Sequence, residues 1–176
     1  MTLHYDSRRY ALINRWNPRN LELIRDWLAP APGDRILDVG CGKGHLVKAL
    51  ADLGIDATGI DLNPNASLVA VTAKVRTMSA TDLQFEDGSF DAVVSFHAVE
   101  HIPAIEASFG EIGRVVRPGG KVLLVYPAEP IQGLYAIPTS MILLRNPFRA
   151  RDIHVHKLSP KSVQALGTTA GLAHLR

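Results

Sequence analysis

Two histidines and a glutamate occur together in the stretch FHAVEHIP, where His97, Glu100 and His101 stand at positions i, i+3 and i+4. On a helical turn those spacings place the three side chains on one face. An imidazole accepts a proton near neutral pH, so His97 or His101 is a candidate general base. His154 and His156 can join them if their loop folds back. A purely structural role, in which Glu100 and His101 cap a helix or bond backbone, stays open.

A second group of residues indicates a ligand. The stretch ILDVGCGKGHL places Gly40, Gly42 and Gly44 between an apolar run and the start of a helical pattern. Without side chains at these positions, a ligand can approach the backbone closely. Asp61 ends the next apolar run, and a carboxylate at such a strand end can accept both hydroxyls of a ribose. The sequence therefore predicts a ligand that contains a nucleoside.

Two common phosphate-binding patterns do not fit this stretch. A P-loop with Gly42–Lys43 as its GK needs glycine where Leu37 stands, and serine or threonine where Gly44 stands. The dinucleotide fingerprint needs glycine where the chain has His45 or Val47. These departures disfavour a nicotinamide oxidoreductase.

The elements that must position these residues alternate along the chain. Strands are predicted at 35–40, 56–61, 74–78, 90–97 and 121–127. Helices are predicted within 7–28, at 45–54 and 108–117, and after Ser159, which caps a helix that has Pro160 first. Nearly all-apolar strands separated by helices are typical of a parallel sheet covered on both faces. The predicted fold class is therefore α/β, a doubly wound Rossmann-like sheet.

The remaining segments complete a single predicted domain over residues 1–176. N-terminal helices occupy 1–30, and the apolar, proline-broken stretch within 128–158 is predicted to be a lid or substrate insertion. A sixth strand is predicted to begin near Gly171.

Bulk composition limits the class of protein. Cys41 is the single cysteine, which excludes an internal disulfide and favours a reducing, cytoplasmic location. The start of the chain lacks the apolar core of a signal peptide. The sequence contains no apolar run of 18 residues, so we expect no transmembrane helix. Residues 145–176 hold six Lys or Arg against one acid, which indicates a solvated basic face or a contact for an anionic partner.

At four places the chain resembles class I S-adenosylmethionine-dependent methyltransferases. The similar stretches are LDVGCGKGHL, GIDLNP, SATDLQFEDGSFDAVVSFHAVEHI and RVVRPGGKVLLVYP, which follow one another in register over about residues 35–127. The resemblance implies a seven-strand sheet whose last strand is antiparallel. That last strand is not recognisable here, so we expect it to be missing or replaced.

The resemblance also implies S-adenosylmethionine as cofactor and assigns residues to it. The methionine and ribose side would be lined by Asp38, Gly40, Cys41, Gly42 and Gly44. Asp61 would hold the ribose hydroxyls, and Leu62 would pack on the adenine. Ser79 and Ala80 would lie at the adenine edge, and Ser95 near the methionine amine.

Two positions depart from the family. Ser79 stands where an aspartate often accepts from the adenine amino group, and Asp82 is a weaker substitute. Some metal-assisted members, including quinone O-methyltransferases and small-RNA end methyltransferases, have acid and histidine ligands after the fourth strand. Here the corresponding set would be His97, Glu100, His101 and His156. Those members usually have another acid where this chain has His97, so we assign no metal ligand.

The acceptor is predicted to be a small hydrophobic molecule such as a quinone, lipid or polyketide-like compound, because the segment over the site is apolar. Core packing or an oligomer contact would account for the same segment. The basic tail is the argument for RNA or an anionic lipid, although no aromatic and basic residues interleave as in RNA-binding surfaces. A non-catalytic, cofactor-binding regulatory module is the alternative to an enzyme.

Overall fold

The computed structural model describes residues 17–173, in which five parallel strands form one sheet of order β3-β2-β1-β4-β5. This sheet confirms the predicted α/β class. The strands are β1 (Arg35–Val39), β2 (Asp56–Asp61), β3 (Val75–Thr77), β4 (Phe90–Phe96) and β5 (Val116–Val125). β1 lies at the centre, paired with β2 on one side and β4 on the other.

Helices separate most of the strands, although no helix lies in the described stretch between β3 and β4, and the helix between β2 and β3 is not among the predicted ones. Among the described residues they are α1 (Arg19–Trp27), α2 (His45–Ala51), α3 (Pro64–Leu68), α4 (Ile105–Val115), α5 (Ile137–Leu144) and α6 (Pro160–Thr169). The predicted cap of α6 is confirmed, because the Ser159 side chain accepts from the backbone of Ser162 in a capping box. Two 3-10 turns, Val99–His101 and Pro147–Asp152, complete the elements.

The fifth strand differs from its predicted range. Pairing with β4 begins already at Val116, and the register then shifts across Pro118–Gly120 before Lys121 pairs with Ala92. Pairing ends at Val125, opposite the last residue of β4, so Tyr126 and Pro127 lie beyond the strand. A proline and two glycines thus form an irregularity inside a strand instead of separating a helix from a strand.

Apolar residues cover both faces of the sheet, as a doubly wound fold requires. Alternate residues of β1 and β4 enter different clusters, since Ile36 and Val94 pack with α1 and α2, while Leu37 and Val93 pack with α4. Both clusters are almost fully buried. The sheet is therefore held from both sides, and its strand ends are fixed relative to one another.

Three predictions concern the ends of the chain or its membrane character. Of the region 7–28, in which helices are predicted, the structure describes residues 17–28, and these contain α1. Residues 171–173 form no strand, and residues 174–176, like 1–16, lie outside the described part of the chain. Within residues 17–173 no helix is long and apolar enough to cross a bilayer.

The contact between α4 and α6 depends on one glycine. A Cβ at Gly113 would overlap the carbonyl oxygen of Ala170, whereas a Cβ at Gly110, on the same helix, would meet nothing within 4 Å. We expect Gly113→Ala to destabilise the protein by about 1–3 kcal/mol, because the two helices must separate. The matched Gly110→Ala should instead stabilise it by about 0.5–1 kcal/mol. Urea unfolding measures both, and shifts of the same sign would contradict this packing.

Candidate active site

A cleft of about 760 Å³ lies where β1, β2 and β4 end. Its position follows from the sheet order, which reverses between β1 and β4 and separates the loops that leave these strands. The volume is within the range of about 300–1,000 Å³ typical of small-molecule sites. Its wall includes these predicted site residues: Gly40, Asp61, Leu62, Ser79, Ala80, His97 and His101.

Asp61 connects the end of β2 to the glycine turn. One carboxylate oxygen accepts from the Gly42 N–H at 2.8 Å, and the other accepts from the Asn63 N–H at 2.9 Å. Burial raises the pKa of Asp61, and these two hydrogen bonds oppose the rise. Each carboxylate oxygen can accept a further bond. The arrangement therefore holds the turn and still offers acceptors to the cleft.

Gly40 brings the loops after β1 and β4 together. Its φ of +78° is left-handed, and a Cβ there would overlap the side chain of Ala98. A non-glycine residue would meet both obstacles, so the close approach of the two loops needs glycine here.

Other predicted cofactor residues do not line the cleft. These residues, which are outside its wall, are Asp38, Cys41, Gly42, Gly44 and Ser95. The Ser95 hydroxyl donates to the Val39 carbonyl at 2.9 Å, so it joins β4 to β1. A Cβ at Gly59 would meet Cys41 Sγ at 2.6 Å, so this thiol fills space over β2. Burial, with the nearby Asp38 and Asp61, raises the pKa of Cys41, and the thiol stays protonated.

The predicted adenine edge is polar but uncharged. Ser79 Oγ lies 2.7 Å from Thr81 Oγ1 and also accepts from the Thr81 backbone. Asp82 is hydrogen-bonded to Gln84 and lies outside the cleft wall, so it does not replace the missing acid. Leu62 is 47% exposed beside this edge, which leaves an apolar surface for a flat ring.

Glu100 and two histidines form another part of the cleft wall. The carboxylate of Glu100 lies 3.8 Å from His97 Nδ1 and 3.9 Å from His101 Nε2. Glu100 is 1% exposed, and its Oε2 has no hydrogen-bond partner among the described residues. Burial, with Glu129 as a weaker cause, raises the pKa of Glu100 to about 7. The three side chains do meet, but not on one helical face: Glu100 and His101 belong to the 3-10 turn Val99–His101, whereas His97 precedes it and is exposed.

Both of these histidines are neutral at neutral pH. Burial lowers the pKa of His101 to about 4, and burial with the nearby His154 lowers that of His97. His101 Nδ1 lies 2.7 Å from the carbonyl oxygen of Ile153. Because a carbonyl only accepts, Nδ1 carries the hydrogen, and Nε2 is the basic nitrogen.

The loop with two further histidines folds back onto this wall, but only one of them joins it. The rings of His101 and His154 lie 4.9 Å apart, and His154 lines the cleft. His156 turns away, and its Nε2 lies 2.9 Å from the carbonyl oxygen of Ile102. His156 is therefore no part of the cluster, and His154 stands in its place.

Glu100, His101 and His154 together have the chemistry of a metal-ligand set. One ligand atom from each residue lies within 4.8 Å of the others. Two imidazoles and a carboxylate suit a divalent transition metal, and the unpartnered Oε2 of Glu100 adds a buried acceptor.

Sequence reasoning missed Glu129. This residue is 5% exposed, and its carboxylate lies 2.8 Å from His154 Nδ1. It is the one acid in the apolar stretch 128–150, and an isolated acid in such a stretch is a signal for a buried, paired carboxylate.

Comparison with known proteins identifies the class. Residues 37–124 match the family model described as a methyltransferase domain. A ubiquinone biosynthesis O-methyltransferase from Bordetella avium (strain 197N) is 32% identical over 166 residues, which are 89% of this chain and 69% of that protein. One from Xanthomonas axonopodis pv. citri (strain 306) is 39% identical over 65% of this chain and 56% of that protein. The chain belongs to the methyltransferase-domain family, as its resemblance implied.

Solved structures agree with this class. The YcgJ protein from Bacillus subtilis has a TM-score of 0.70 at 25% identity, over 88% of this chain and 68% of that one. A Haemonchus contortus phosphoethanolamine N-methyltransferase 2 in complex with S-adenosyl-L-methionine has a TM-score of 0.70 at 22% identity, and covers 93% of this chain but 40% of that one. The second likeness shows the fold alone. The chain spans little more than half the length of several of its curated relatives.

Asp38 links the site to stability. Burial, with the nearby Asp61, raises its pKa from 3.8 to about 7. Between these pH values the unfolded chain ionises while the folded one stays protonated, so stability falls as pH rises. We expect Asp38→Asn to remove this contribution to the fall in the free energy of unfolding with pH, which is on the order of 1–3 kcal/mol. Urea unfolding across the window measures it, and parallel profiles for the two proteins would contradict the assignment.

Proposed function

We propose that this chain is an S-adenosylmethionine-dependent methyltransferase that transfers the methyl group to a hydroxyl of a small, apolar acceptor. One observation carries the proposal. One cleft has Gly40 and Asp61 in a first wall and Glu100, His101 and His154 in a second. The first wall suits a nucleoside, and the second suits a hydroxyl that must lose its proton.

The cofactor assignments divide by position. Asp61 supplies free acceptor capacity for the ribose hydroxyls, Leu62 an apolar surface for the adenine, and Ser79 and Ala80 the edge of the ring. Asp38, Cys41, Gly42, Gly44 and Ser95 act from outside the cleft wall, through turn geometry and backbone groups. When bound, S-adenosylmethionine supplies a sulfonium methyl group that is already activated, so the protein's main task is alignment.

The acceptor side has a neutral base. His101 presents Nε2, and its low pKa leaves this nitrogen unprotonated, so it can accept a hydrogen bond from the hydroxyl. His97 is 61% exposed in its side chain and stands at the mouth, where a proton can pass to water. We assign His101 and then His97 as general bases for the acceptor hydroxyl.

A divalent metal is a second route to the same chemistry. Glu100, His101 and His154 would hold the ion, which would lower the pKa of the acceptor hydroxyl. The buried, unpartnered oxygen of Glu100 favours this candidate.

The lid segment 128–158 favours an apolar acceptor. Seven of its large apolar side chains are exposed, and Tyr135 with Thr139 also lines the cleft. These residues are Ile131, Leu134, Tyr135, Ile137, Met141, Ile142 and Phe148. The relatives' names connect O-methylation with ubiquinone biosynthesis, which agrees with a hydroxyl on a quinone-like ring carrying an apolar tail.

Transfer of a labelled methyl group tests the proposal directly. The protein is incubated with labelled S-adenosylmethionine and 4-nonylcatechol, a hydroxylated ring with an apolar tail. Label in the extracted catechol supports the enzyme. Tight cofactor binding without transfer to the hydroxyl of any apolar acceptor would favour a non-catalytic regulatory module. Transfer to RNA or to anionic lipid would show that the acceptor belongs to a different class.

Removing the Asp61 carboxylate should weaken cofactor binding. We expect Asp61→Ala to lower affinity for S-adenosylhomocysteine roughly 10–150-fold, or about 1.5–3 kcal/mol, the value for hydrogen bonds to a charged group. Calorimetric titration measures it. The matched control is Asp82→Ala, whose carboxylate lies outside the cleft wall and should leave affinity unchanged. Equal affinities for both variants would overturn the ribose assignment.

Removing His101 should separate the two acceptor mechanisms. We expect His101→Ala to keep S-adenosylhomocysteine affinity and to lower methyl transfer about 100-fold or more, the contribution of general acid–base catalysis. Treatment of the wild-type protein with EDTA should leave transfer unchanged if His101 acts as a base and abolish it if an ion is held. Normal transfer by His101→Ala would assign the residue a structural role.

A further inference from the structure

Glu129 uses its whole carboxylate to join two segments around the cleft. One oxygen accepts from the Gly133 N–H at 2.7 Å, and the other accepts from the Tyr135 N–H at 2.7 Å. The second oxygen also meets His154 Nδ1 at 2.8 Å. A single buried side chain therefore ties the first turn of the lid to a histidine of the acceptor wall.

This contact decides the tautomer of His154. Both oxygens of Glu129 already accept from backbone N–H groups, those of Gly133 and Tyr135, so the carboxylate faces His154 as a hydrogen-bond acceptor. An ionised carboxylate only accepts, so Nδ1 of His154 carries a hydrogen. In the neutral ring the lone pair then belongs to Nε2. Within residues 17–173 no hydrogen bond engages Nε2, and the ring lines the cleft.

The lid has a second tie that does not involve the imidazole. Gln132 Nε2 donates to the carbonyl oxygens of His154 and Val155 at 3.0 and 2.9 Å. This bond holds the same two segments together through backbone alone. The Glu129 contact therefore orients the His154 ring, whereas the Gln132 contact joins the same segments without orienting it.

We propose that Glu129 is a positioning residue for methyl transfer. By holding Nδ1–H of His154, it directs Nε2 to accept a hydrogen bond from a second hydroxyl of the acceptor, next to the one that His101 deprotonates, and it does so only while the lid turn is in place. The inference rests on the proposed function and deepens it, because it names what aligns the acceptor oxygen. Orientation of this kind contributes to the turnover step more than to binding.

Two single variants test this role with S-adenosylmethionine and 4-nonylcatechol. His154→Asn keeps a donor near the Nδ1 position and so keeps the lid tie, but it removes Nε2. We expect His154→Asn and Glu129→Gln each to lower kcat about 10–100-fold, the cost of removing an orienting partner of a functional histidine. The KM for the catechol under His154→Asn should change less than about threefold. Gln132→Ala, the matched control, should raise KM and leave kcat unchanged.

The double variant decides whether Glu129 acts through His154. If it does, Glu129→Gln should cost less than about twofold in kcat when added to His154→Asn. If the kcat losses of the two single variants multiply in the double variant, the proposal is overturned. It is also overturned if Glu129→Gln raises KM and leaves kcat unchanged, as expected for Gln132→Ala. The second result would make Glu129 a lid anchor.

A readout without catalysis keeps this inference separate from the proposed function. Long-range ¹H–¹⁵N spectra of the wild-type protein at alkaline pH should show His154 as the Nδ1–H tautomer. Glu129→Gln should give a mixture of tautomers, and Gln132→Ala should not. An Nε2–H tautomer in the wild type would overturn the positioning role even if methyl transfer is found. The expected tautomer without any transfer would refute the proposed function alone.

Discussion

The position of β1 between β2 and β4 is the constraint on which the rest of the molecule depends. All three strands are parallel and packed on both faces, so their carboxyl ends meet at one edge. The chain leaves β1 toward one side of the sheet and leaves β4 toward the other, which opens a cleft between the two loops. The close approach of Gly40 to Ala98 closes the bottom of that cleft.

Burial then sets the charge state of the groups around the cleft. The carboxyls of Asp38 and Glu100 have pKa values raised to about 7, and the imidazole of His101 has a pKa lowered to about 4. Desolvation is the main cause in each case, and it favours the neutral form of both acids and bases. Burial thus keeps the His101 imidazole neutral and opposes ionisation of Glu100, which agrees with a neutral hydrogen-bond acceptor for the hydroxyl.

The predicted lid segment 128–158 is closed by polar contacts between its own two ends and is joined to the rest of the domain through His101. Its own core is small, formed by Ala136, Ala150 and Ile153, while its outer surface is exposed and apolar. Glu129 and Gln132 bond to the segment that carries His154, and His101 bonds to the carbonyl of Ile153. The predicted lid segment and the cleft-lining side chains of His101 and His154 are thus one hydrogen-bonded unit.

The sequence by itself determined the fold class, most strand and helix positions, and the wall that would bind the nucleoside. Those features rest on local patterns: apolar runs of strand length, the glycine turn, Asp61 at a strand end, and the cap at Ser159. Tertiary structure decided what depends on segments far apart in the chain. It brought His154 to His101 and turned His156 away, placed Cys41 and Ser95 outside the cleft wall, and paired Glu129 with His154. No local pattern encodes which of two histidines, one residue apart, faces a cleft, because the backbone bonds of the returning loop set that choice.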